Sequence, residues 1–530
     1  MLDVLIRDGL VVDGTGKPGY KADVAVKDGK ILRIAPRITE KAEEVINAKG
    51  LVVAPGFVDC HNHSDAYVFI GSDAYNYLEQ GVTTQVCGNC GVSMTPCGPD
   101  GLRWMESEEE RAIYTKLAAT PAGFMDLAKN ASLGVNVAFL VGHGTIRQTV
   151  MGYDPAVPDE TQLNAMCDWV EQAMDAGFLG YSSGLIYAPS AYGKTAELIA
   201  LAKAMAPYGG IYASHIRNEG DGVVDAVKEA IHIGEEAGVQ VQISHLKVMG
   251  KHNEGTSEVL LKLIEDANRR GVTVFADQYP FEASSASLRS RIPDRYHAGG
   301  VEELLKRLQD PAVRADIDQL VFQNKGSASG VSPIASRDIL IASLENNPEY
   351  VGMTLAQVAE QTGKTPVDAL CDLLVENEGR GQGIFFNQNM SDLLKIMASP
   401  WVLGGSDSEN LPDLRVDKNT RFGIHPRKTS AFVRRLELQR DHNLCSMEEA
   451  VHRVTGAPAK AFKLDGVGVL TEGVDADIAV LDYENLRAIS SYEYPYRGNE
   501  GICHVLVGGK VAVKDGRYTG VRNGKLLRRR

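Results

Sequence analysis

Several residues that can bind a metal ion stand directly after short apolar segments of this sequence. In "APGFVDCHNHSD" two histidines, His61 and His63, follow an apolar run and are separated by one residue. Residues at this spacing point to the same side of an extended chain, so both imidazoles would face one small volume. The same placement recurs along the chain at Cys90, His143, His215, His245 and Asp407. The pattern predicts a metal site, provided that the fold brings these segment ends together.

The middle of the chain alternates apolar strands with amphipathic helices, a pattern typical of parallel sheets. Strands are predicted at 56–63, 83–89, 136–144, 180–185, 211–216, 240–246, 273–279 and 401–407, with helices such as 222–237 and 257–270 between them. Eight such units predict an α/β chain folded as a closed (β/α)8 barrel of the TIM type. Active sites of these barrels form at the carboxyl ends of the strands, where the candidate ligands stand.

Both ends of the chain differ from the middle, because they are rich in β-branched residues and turn signals such as DG. We expect residues 1–53 and 466–530 to form one small β-sandwich domain, and residues 54–465 to form the barrel. The stretch of about 282–350 is rich in Arg, Pro and Gly and is predicted to be a lid inserted after the seventh strand. The apolar run at 383–387 is expected to be accessory to the barrel.

The composition indicates a globular protein with an acidic surplus. Its 530 residues include 55 Lys and Arg against 69 Asp and Glu, a net charge of −14. This charge disfavours nucleic acid and anionic membranes as partners. Eight cysteines in so long a chain do not indicate a disulfide framework, and no secretory signal or membrane-spanning segment is recognisable. We therefore expect a cytoplasmic protein that acts on a small molecule, and its oligomeric state stays open.

The types of the candidate ligands narrow the choice of metal. Imidazole and thiolate ligands together with a carboxylate favour zinc, which activates water for attack at neutral pH. Two residues also have simpler explanations. Cys90 could be a buried structural cysteine, and Asp407 could cap a helix.

The motifs also resemble those of a known family. In chain order, "GFVDCHNHSD", "GVTTQVCGNCGVSMTP", "VGHGTIR", "ASHIRNEGD", "ISHLK", "DQYPF", "GGSDS" and "HPR" are similar to segments of the amidohydrolase superfamily, and more narrowly of the N-acyl-D-amino-acid deacylase (D-aminoacylase) family. The resemblance spans nearly the whole chain. It implies a zinc-dependent enzyme that hydrolyses the amide bond of N-acyl-D-amino acids, releasing a carboxylate and a free D-amino acid. It also implies a barrel with a composite β domain and an inserted lid.

The same resemblance implies metal ligands. One tightly bound zinc would lie on Cys90, His215 and His245. A second, weaker position would use His61 and His63, with Cys90 bridging the two metals. Residues beside the ligands in sequence, among them Arg217 and Glu219, would orient them.

Catalytic and substrate-binding roles follow from the resemblance in the same way. Asp407 corresponds to the family's catalytic aspartate, which accepts a proton from water and returns it to the leaving amine. We also count Asp407 among the metal ligands, and His143 is expected to hydrogen-bond the site or the substrate. The residues implied to hold the substrate's α-carboxylate are Tyr279, Ser285 and Arg427. Lys247 is two residues after His245, on the same side of the strand, and is expected to meet that carboxylate or an acidic side chain of the substrate.

Two alternatives and one departure remain. A cyclic-amide hydrolase or deaminase of the same superfamily (hydantoinase-like or dihydroorotase-like) is disfavoured, because strand four, "GYSSGL", lacks the lysine that often bridges two metals there. A catalytically inactive assembly protein on this scaffold is also possible, although every expected ligand is present. The departure from the family pattern concerns two segments: 408–424 is longer than expected, with "SDS" at 406–408 in place of the usual SDG, and 282–300 is unusually basic. Both segments lie where specificity for the side chain of the substrate would be set. The choice between neutral and acidic D-amino acids, or a different amide, therefore stays open.

Overall fold

The computed structural model describes residues 1–70, 72–98, 108–323, 333–411 and 416–529 and has an α/β fold. The strands are β1 (Leu2–Val11), β2 (Tyr20–Lys27), β3 (Lys30–Ala35), β4 (Ala42–Asn47), β5 (Val52–Pro55), β6 (Phe57–Asp59), β7 (Val82–Cys87), β8 (Asn136–Phe139), β9 (Val141–Gly142), β10 (Gly180–Gly184), β11 (Ile211–His215), β12 (Gln240–Ile243), β13 (Val274–Gln278), β14 (Ala283–Ser287), β15 (Ile339–Ser343), β16 (Gln382–Phe386), β17 (Val402–Gly404), β18 (Ile478–Leu481), β19 (Arg487–Ala488), β20 (Asn499–Glu500), β21 (Ile502–Val507), β22 (Lys510–Lys514) and β23 (Arg517–Tyr518). The α-helices are α1 (Tyr67–Ile70), α2 (Tyr75–Leu78), α3 (Glu108–Ala118), α4 (Pro121–Asn130), α5 (His143–Met151), α6 (Glu160–Asp175), α7 (Thr195–Met205), α8 (Val223–Ala237), α9 (Ser257–Arg269), α10 (Val301–Arg307), α11 (Pro311–Ile317), α12 (Leu355–Thr362), α13 (Pro366–Glu376), α14 (Met390–Ala398), α15 (Arg427–Asp441), α16 (Met447–His452) and α17 (Gly456–Ala461).

The largest sheet combines strands from both ends of the chain. Its strands follow the order β23-β22-β21-β18-β5-β1-β2-β3, and β4 pairs with β1. The two ends meet at β5, which lies parallel to β1 and antiparallel to β18. Alternate residues of β1, Val4 and Ile6, share a buried apolar cluster with Val24 and Val26 of β2. The alternation of side chains along these strands therefore gives the sheet its buried face.

The predicted parallel strands are present, and each is shorter than predicted. One group contains β6, β7 and β8, and a second contains β9 to β13 followed by β17. Only Leu140 separates β8 from β9. Hydrogen bonds also join the segments that follow β6 and β17: Asp407 N donates to His61 O (2.9 Å) and His63 N donates to Ser408 O (2.8 Å). Because the strands end early, most of the predicted ligand residues lie in the loops that follow them.

Helices connect the successive parallel strands, as the sequence predicts. α8 and α9 begin and end within one residue of the predicted bounds 222–237 and 257–270. Helix α8 packs closely on the sheet at Gly234, where a Cβ atom would lie 2.1 Å from Val241 Cγ2. Within the ranges that the structure describes, no helix is both long enough and apolar enough to cross a membrane.

The segment between β13 and β17 has a sheet and a core of its own. Strands β14, β16 and β15 form an antiparallel sheet, and β16 is the run that we expected to be accessory. Leu304, Leu370 and Phe385 belong to a separate buried cluster formed by this segment. The segment with its own sheet therefore extends to residue 386 at least, beyond the end near 350 that is predicted for the lid.

Candidate metal and catalytic site

The residues predicted from the strand ends lie close together in the structure. His61 Nε2 is 3.3 Å from Cys90 Sγ, and His245 Nε2 is 3.4 Å from the same sulfur. Two overlapping groups have ligand atoms within 4.8 Å of one another. The inner group is Cys90, His215 and His245, and the outer group is His61, His63, Cys90 and Asp407. Cys90 belongs to both groups, and the resemblance implies that it would bridge two metal ions.

The inner group has the chemistry of a metal site. His215 is buried, and neither of its ring nitrogens makes a hydrogen bond, although Nε2 lies 3.5 Å from Glu219 Oε2. A bound metal ion would satisfy a ring nitrogen in this position. Burial raises the pKa of the Cys90 thiol, but the positive charges of His61 and His245 hold it well below its ordinary value. Cys90 is therefore a thiolate, which is the form of cysteine that binds metals. Burial lowers the pKa of His215, yet Glu219 and Cys90 raise it to about 9.

The outer group is more open and contains a carboxylate. Asp407 Oδ1 lies 3.1 Å from His63 Nε2 and 3.5 Å from His61 Nε2. The other oxygen, Oδ2, accepts a hydrogen bond from Arg427 Nη1 at 2.7 Å. Burial raises the pKa of Asp407, but Arg427 and His245 hold it well below its ordinary value. The His63 side chain is 28% exposed, so this group reaches the surface of the cavity described below.

Three of the candidate ligands have a left-handed backbone conformation. The φ angles are 53° at Cys90, 36° at His245 and 51° at Asp407. Residues other than glycine seldom adopt this region, and when they do they often belong to functional sites. All three side chains contribute a ligand atom to the groups described above. This geometry supports a site role for all three residues.

Two buried carboxylates orient the histidines. Asp277 lies 3.1 Å from His61 Nδ1 and accepts a hydrogen bond from His245 N at 3.0 Å. Glu219 lies 3.1 Å from His245 Nδ1 and pairs with Lys247. The sequence motifs pointed to Glu219 but not to Asp277. The available signal was its position in strand β13, two residues before Tyr279 and on the same side of the strand.

His143 and Arg217 contact supporting residues rather than the candidate ligands. His143 is fully buried, with Nδ1 2.7 Å from Ser190 Oγ and Nε2 2.8 Å from Glu197 Oε1. Both of its ring nitrogens are thus engaged within the protein. Arg217 donates to Glu229 at 2.9 Å and to two backbone carbonyl oxygens of the neighbouring loop. The expectation that Arg217 orients a ligand directly is therefore not met.

The residues predicted to hold the substrate lie beside the outer group. Arg427 is the first residue of α15 and is 7% exposed, so it is not a solvated loop arginine. Its Nη2 donates to Ser285 O at 3.2 Å, and its guanidinium lies 4.9 Å from the centre of the Tyr279 ring. Lys247 Nζ is 2.7 Å from His245 Nδ1 and lies 5.5 Å from the centre of the same tyrosine ring. Arg427 thus contacts Asp407, Lys247 contacts His245, and both cations lie over the Tyr279 ring.

A cavity of about 430 Å³ opens beside the outer group. Its walls include His63, Cys90, Ser285, Asp407 and Arg427. Tyr187, from the loop after β10, also lines the cavity, and its ring packs edge-on against His215 with centres 5.0 Å apart. The sequence motifs did not indicate Tyr187, which follows its strand too distantly to be recognised as a strand-end residue.

Comparisons with known proteins identify the family. The Amidohydrolase family model matches residues 44–323 and 416–513. D-aminoacylase of Alcaligenes xylosoxydans xylosoxydans is 32% identical over 532 residues, with 99% of this chain and 98% of that protein covered. N-acyl-D-glutamate deacylase of the same organism is also 32% identical, with 100% and 97% covered.

Comparisons with solved structures support the same family. N-acyl-D-glutamate deacylase from Bordetella bronchiseptica, complexed with zinc and a phosphonate mimic of the tetrahedral intermediate, superposes with a TM-score of 0.80, 31% identity and 99% of both chains covered. D-aminoacylase superposes with a TM-score of 0.82, 31% identity and all of both chains covered. The chain therefore belongs to the amidohydrolase family, among the relatives of D-aminoacylase that its sequence motifs indicated.

Proposed function

We propose that this protein is a zinc-dependent hydrolase that cleaves the amide bond of linear N-acyl-D-amino acids. The observation that carries the proposal is the pair formed by Arg427 and Asp407 on the cavity wall, next to the candidate zinc ligands. An N-acyl amino acid has its α-carboxylate one carbon away from the amide nitrogen. A guanidinium can bind that carboxylate while a neighbouring aspartate transfers protons at the amide. The relatives named above support the same substrate class.

The barrel and the domain division belong to the same proposal. The order of the parallel strands, with β6 and β17 at its two ends, supports a closed (β/α)8 barrel. The backbone hydrogen bonds of His61 and His63 to the segment after β17 support its closure. The nine-stranded sheet supports a small β-sandwich domain from residues 1–53 and 466–530 beside a barrel from residues 54–465.

The chain offers two positions for zinc. The inner group would hold one ion tightly, and the outer group would hold a second ion more weakly because Arg427 competes for the Asp407 carboxylate. When bound, zinc would activate a water molecule and polarise the amide carbonyl. Asp277 and Glu219 would fix the histidine rings for this purpose.

The chain's own residues would bind the substrate and move protons. Asp407 would accept a proton from the attacking water and return it to the leaving amine. Arg427 would bind the α-carboxylate, with Tyr279 under its guanidinium and Ser285 beside it. Lys247 would add positive charge at the same end. Through Ser190, which also accepts from Gly184 N, His143 would position the loop that carries Tyr187.

We also propose that the protein works in the cytoplasm on this small-molecule substrate. All eight cysteines are free thiols, which suits a reducing compartment. The absence of nucleic acid or membrane partners stays a prediction from the charge.

A substrate panel tests the proposed reaction. The zinc-loaded protein is assayed for amine release from N-acetyl-D-amino acids, their L enantiomers and a hydantoin ring, and its zinc content is measured by atomic absorption. We expect release from the D compounds alone. Ring opening without release from linear amides would instead favour a cyclic-amide hydrolase, and zinc-loaded protein without any turnover would favour the inactive scaffold.

A further inference from the structure

His425 is a buried histidine with one hydrogen bond at each nitrogen of its ring. It is 2% exposed, and it stands two residues before Arg427, the first residue of α15. Its Nδ1 accepts a hydrogen bond from Arg427 N at 3.0 Å. Its Nε2 lies 3.1 Å from Ala283 O, and a carbonyl oxygen can only accept. The ring therefore carries its proton on Nε2 and leaves Nδ1 free to accept.

His425 and Arg427 both contact one strand of the inserted segment. Ala283 and Ser285 are alternate residues of β14, and backbone carbonyls at this spacing point to the same edge of a strand. His425 donates to the first of these carbonyls, and Arg427 Nη2 donates to the second at 3.2 Å. The two side chains therefore dock the start of α15 on β14.

Aromatic rings hold the imidazole in this orientation. The centre of the His425 ring lies 5.1 Å from that of Phe281 and 5.2 Å from that of Tyr492, and both rings meet it edge-on. Burial and the positive charge of Arg427 hold the pKa of His425 well below its ordinary value. The ring is therefore neutral, and it keeps one acceptor and one donor for its two backbone partners.

The backbone amide that His425 binds belongs to the arginine of the cavity wall. The first amides of a helix have no partner within the helix, and side chains commonly accept from them. At the start of α15 this acceptor is His425 Nδ1, because Pro426 at the cap position has no side-chain acceptor. The guanidinium of the same Arg427 pairs with Asp407 and lines the cavity. The position of that guanidinium thus depends on His425 through the backbone.

We propose that His425 is a positioning residue for the substrate's α-carboxylate, because it fixes Arg427 between α15 and the inserted segment. The inference rests on the proposed function, in which Arg427 binds that carboxylate. Without the imidazole, Arg427 N loses its acceptor and Ala283 O loses its donor. The start of the helix is then free to move relative to β14, and the guanidinium moves with it. A displacement of about 1 Å in such a group costs up to about 100-fold.

Three substitutions separate the two hydrogen bonds from the packing of the ring. His425→Asn places an oxygen near the position of Nδ1 and keeps the acceptor for Arg427 N. His425→Gln places its amide near the position of Nε2 and keeps only the donor to Ala283 O. His425→Phe keeps the ring without either polar atom.

The expected effect is on KM for the best N-acetyl-D-amino acid of the substrate panel. KM should rise about 10–100-fold in His425→Gln and His425→Phe, with kcat within about threefold of the wild-type value. His425→Asn should raise KM less than about fivefold, because the bond to Arg427 N is retained. A wild-type KM in His425→Phe, or a fall in kcat alone, would overturn the proposal.

A double substitution tests whether the effect passes through Arg427. In the Arg427→Gln background, His425→Gln should raise KM less than about threefold further, because no guanidinium remains to be positioned. The matched control is His297→Asn. His297 Nε2 also lies 3.1 Å from a backbone carbonyl oxygen of the inserted segment, that of Ile292, and this variant should retain the wild-type KM. Independent, multiplicative losses from His425→Gln and Arg427→Gln would contradict the positioning role.

Two measurements without turnover separate this inference from the proposed reaction. Should no N-acyl-D-amino acid be hydrolysed, the proposed function fails, and calorimetric titration with N-acetyl-D-alanine replaces KM. His425→Gln should then bind this compound about tenfold more weakly than the wild type, and equal binding would overturn the inference. NMR of protein with nitrogen-labelled histidine reports the ring itself, and His425→Asn assigns its signals. We expect a protonated Nε2 and an unprotonated Nδ1 at neutral pH; a proton on Nδ1 would refute the hydrogen bond to Arg427 N.

Discussion

The inner and outer groups share Cys90 but differ in how the protein holds them. Every residue of the inner group is buried, and Glu219 contacts both of its histidines. The outer group includes a partly exposed histidine and a carboxylate that also pairs with Arg427. A buried site with preoriented ligands binds a metal more firmly than one whose ligand has another partner. In the proposed function, the inner group would therefore hold zinc more firmly, and the outer group would be the place where protons are transferred and the substrate binds.

Replacing the shared ligand should have the largest effect. Cys90→Ser removes the thiolate from both groups at once, so we expect zinc content and amidase activity to fall to background together. Metal analysis after dialysis, paired with the activity assay, measures both. Cys87→Ser, three residues earlier and also buried, is the control that should retain zinc. Full zinc content in Cys90→Ser would remove this residue from the ligand set.

Changing Asp407, the proposed catalytic carboxylate, should separate the effects of the two groups. Asp407→Asn keeps the shape of the side chain but cannot accept a proton, so kcat should fall about 10²–10⁴-fold. The inner group is unchanged, and one zinc per chain should remain bound. Activity within tenfold of wild type would exclude Asp407 as the proton acceptor. Loss of all zinc would show that the two groups are not separable.

Glu219 and Asp277, the carboxylates that contact the histidine rings, allow a second comparison of the two groups, with a smaller expected effect. Glu219→Gln should weaken zinc binding at the inner group about 10–100-fold, because it loosens His215 and His245. Asp277→Asn should act mainly on His61 and lower the affinity for a second zinc ion. Competition with a chromophoric chelator measures both constants. Equal effects of the two substitutions on the first zinc would contradict the division into inner and outer groups.

A pH series on the metal-free protein tests the charge state of both groups. Burial lowers the pKa of His63, but Asp407 and Cys90 raise it to about 10, and His215 is raised to about 9. Because both values exceed the ordinary 6.5 of the unfolded chain, these histidines stabilise the fold fully below that pH. The stabilisation is lost as the pH rises through 9 and 10. We expect the metal-free Tm to fall over this range, and to fall less in His63→Gln; an identical fall in both would contradict the assignment.

Much of the architecture follows from local sequence patterns. Strand and helix positions in the middle of the chain could be predicted because apolar periodicity and turn residues act over short distances. The end of the predicted lid could not be predicted correctly. Helices α12 and α13, which lie beyond the predicted end, have the same amphipathic pattern as helices between the parallel strands. Whether such a helix covers the parallel strands or a separate sheet depends on long-range packing.

The residues of the candidate site also divide into those that the sequence indicates and those that only the folded structure shows. His61, His215 and His245 could be recognised because each lies at or just past the end of an apolar strand. Asp277 lies inside a strand, and its role arises only when β12 and β6 bring their loops beside it. Arg291 could be recognised as part of a basic segment, but its burial against Phe385 is a property of the folded segment.

The position of β5 has a consequence for how the chain is made. This strand ends at Pro55, and its antiparallel neighbour β18 begins at Ile478, so the pairing cannot form until more than 400 intervening residues have left the ribosome. Until then β5 offers an unpaired apolar edge, at which Val52 and Val53 can join strands of other nascent chains. Contacts so distant in sequence form slowly. Assembly of the terminal sheet is therefore a late event in biosynthesis, and the interval before it is the period in which this protein is most exposed to aggregation.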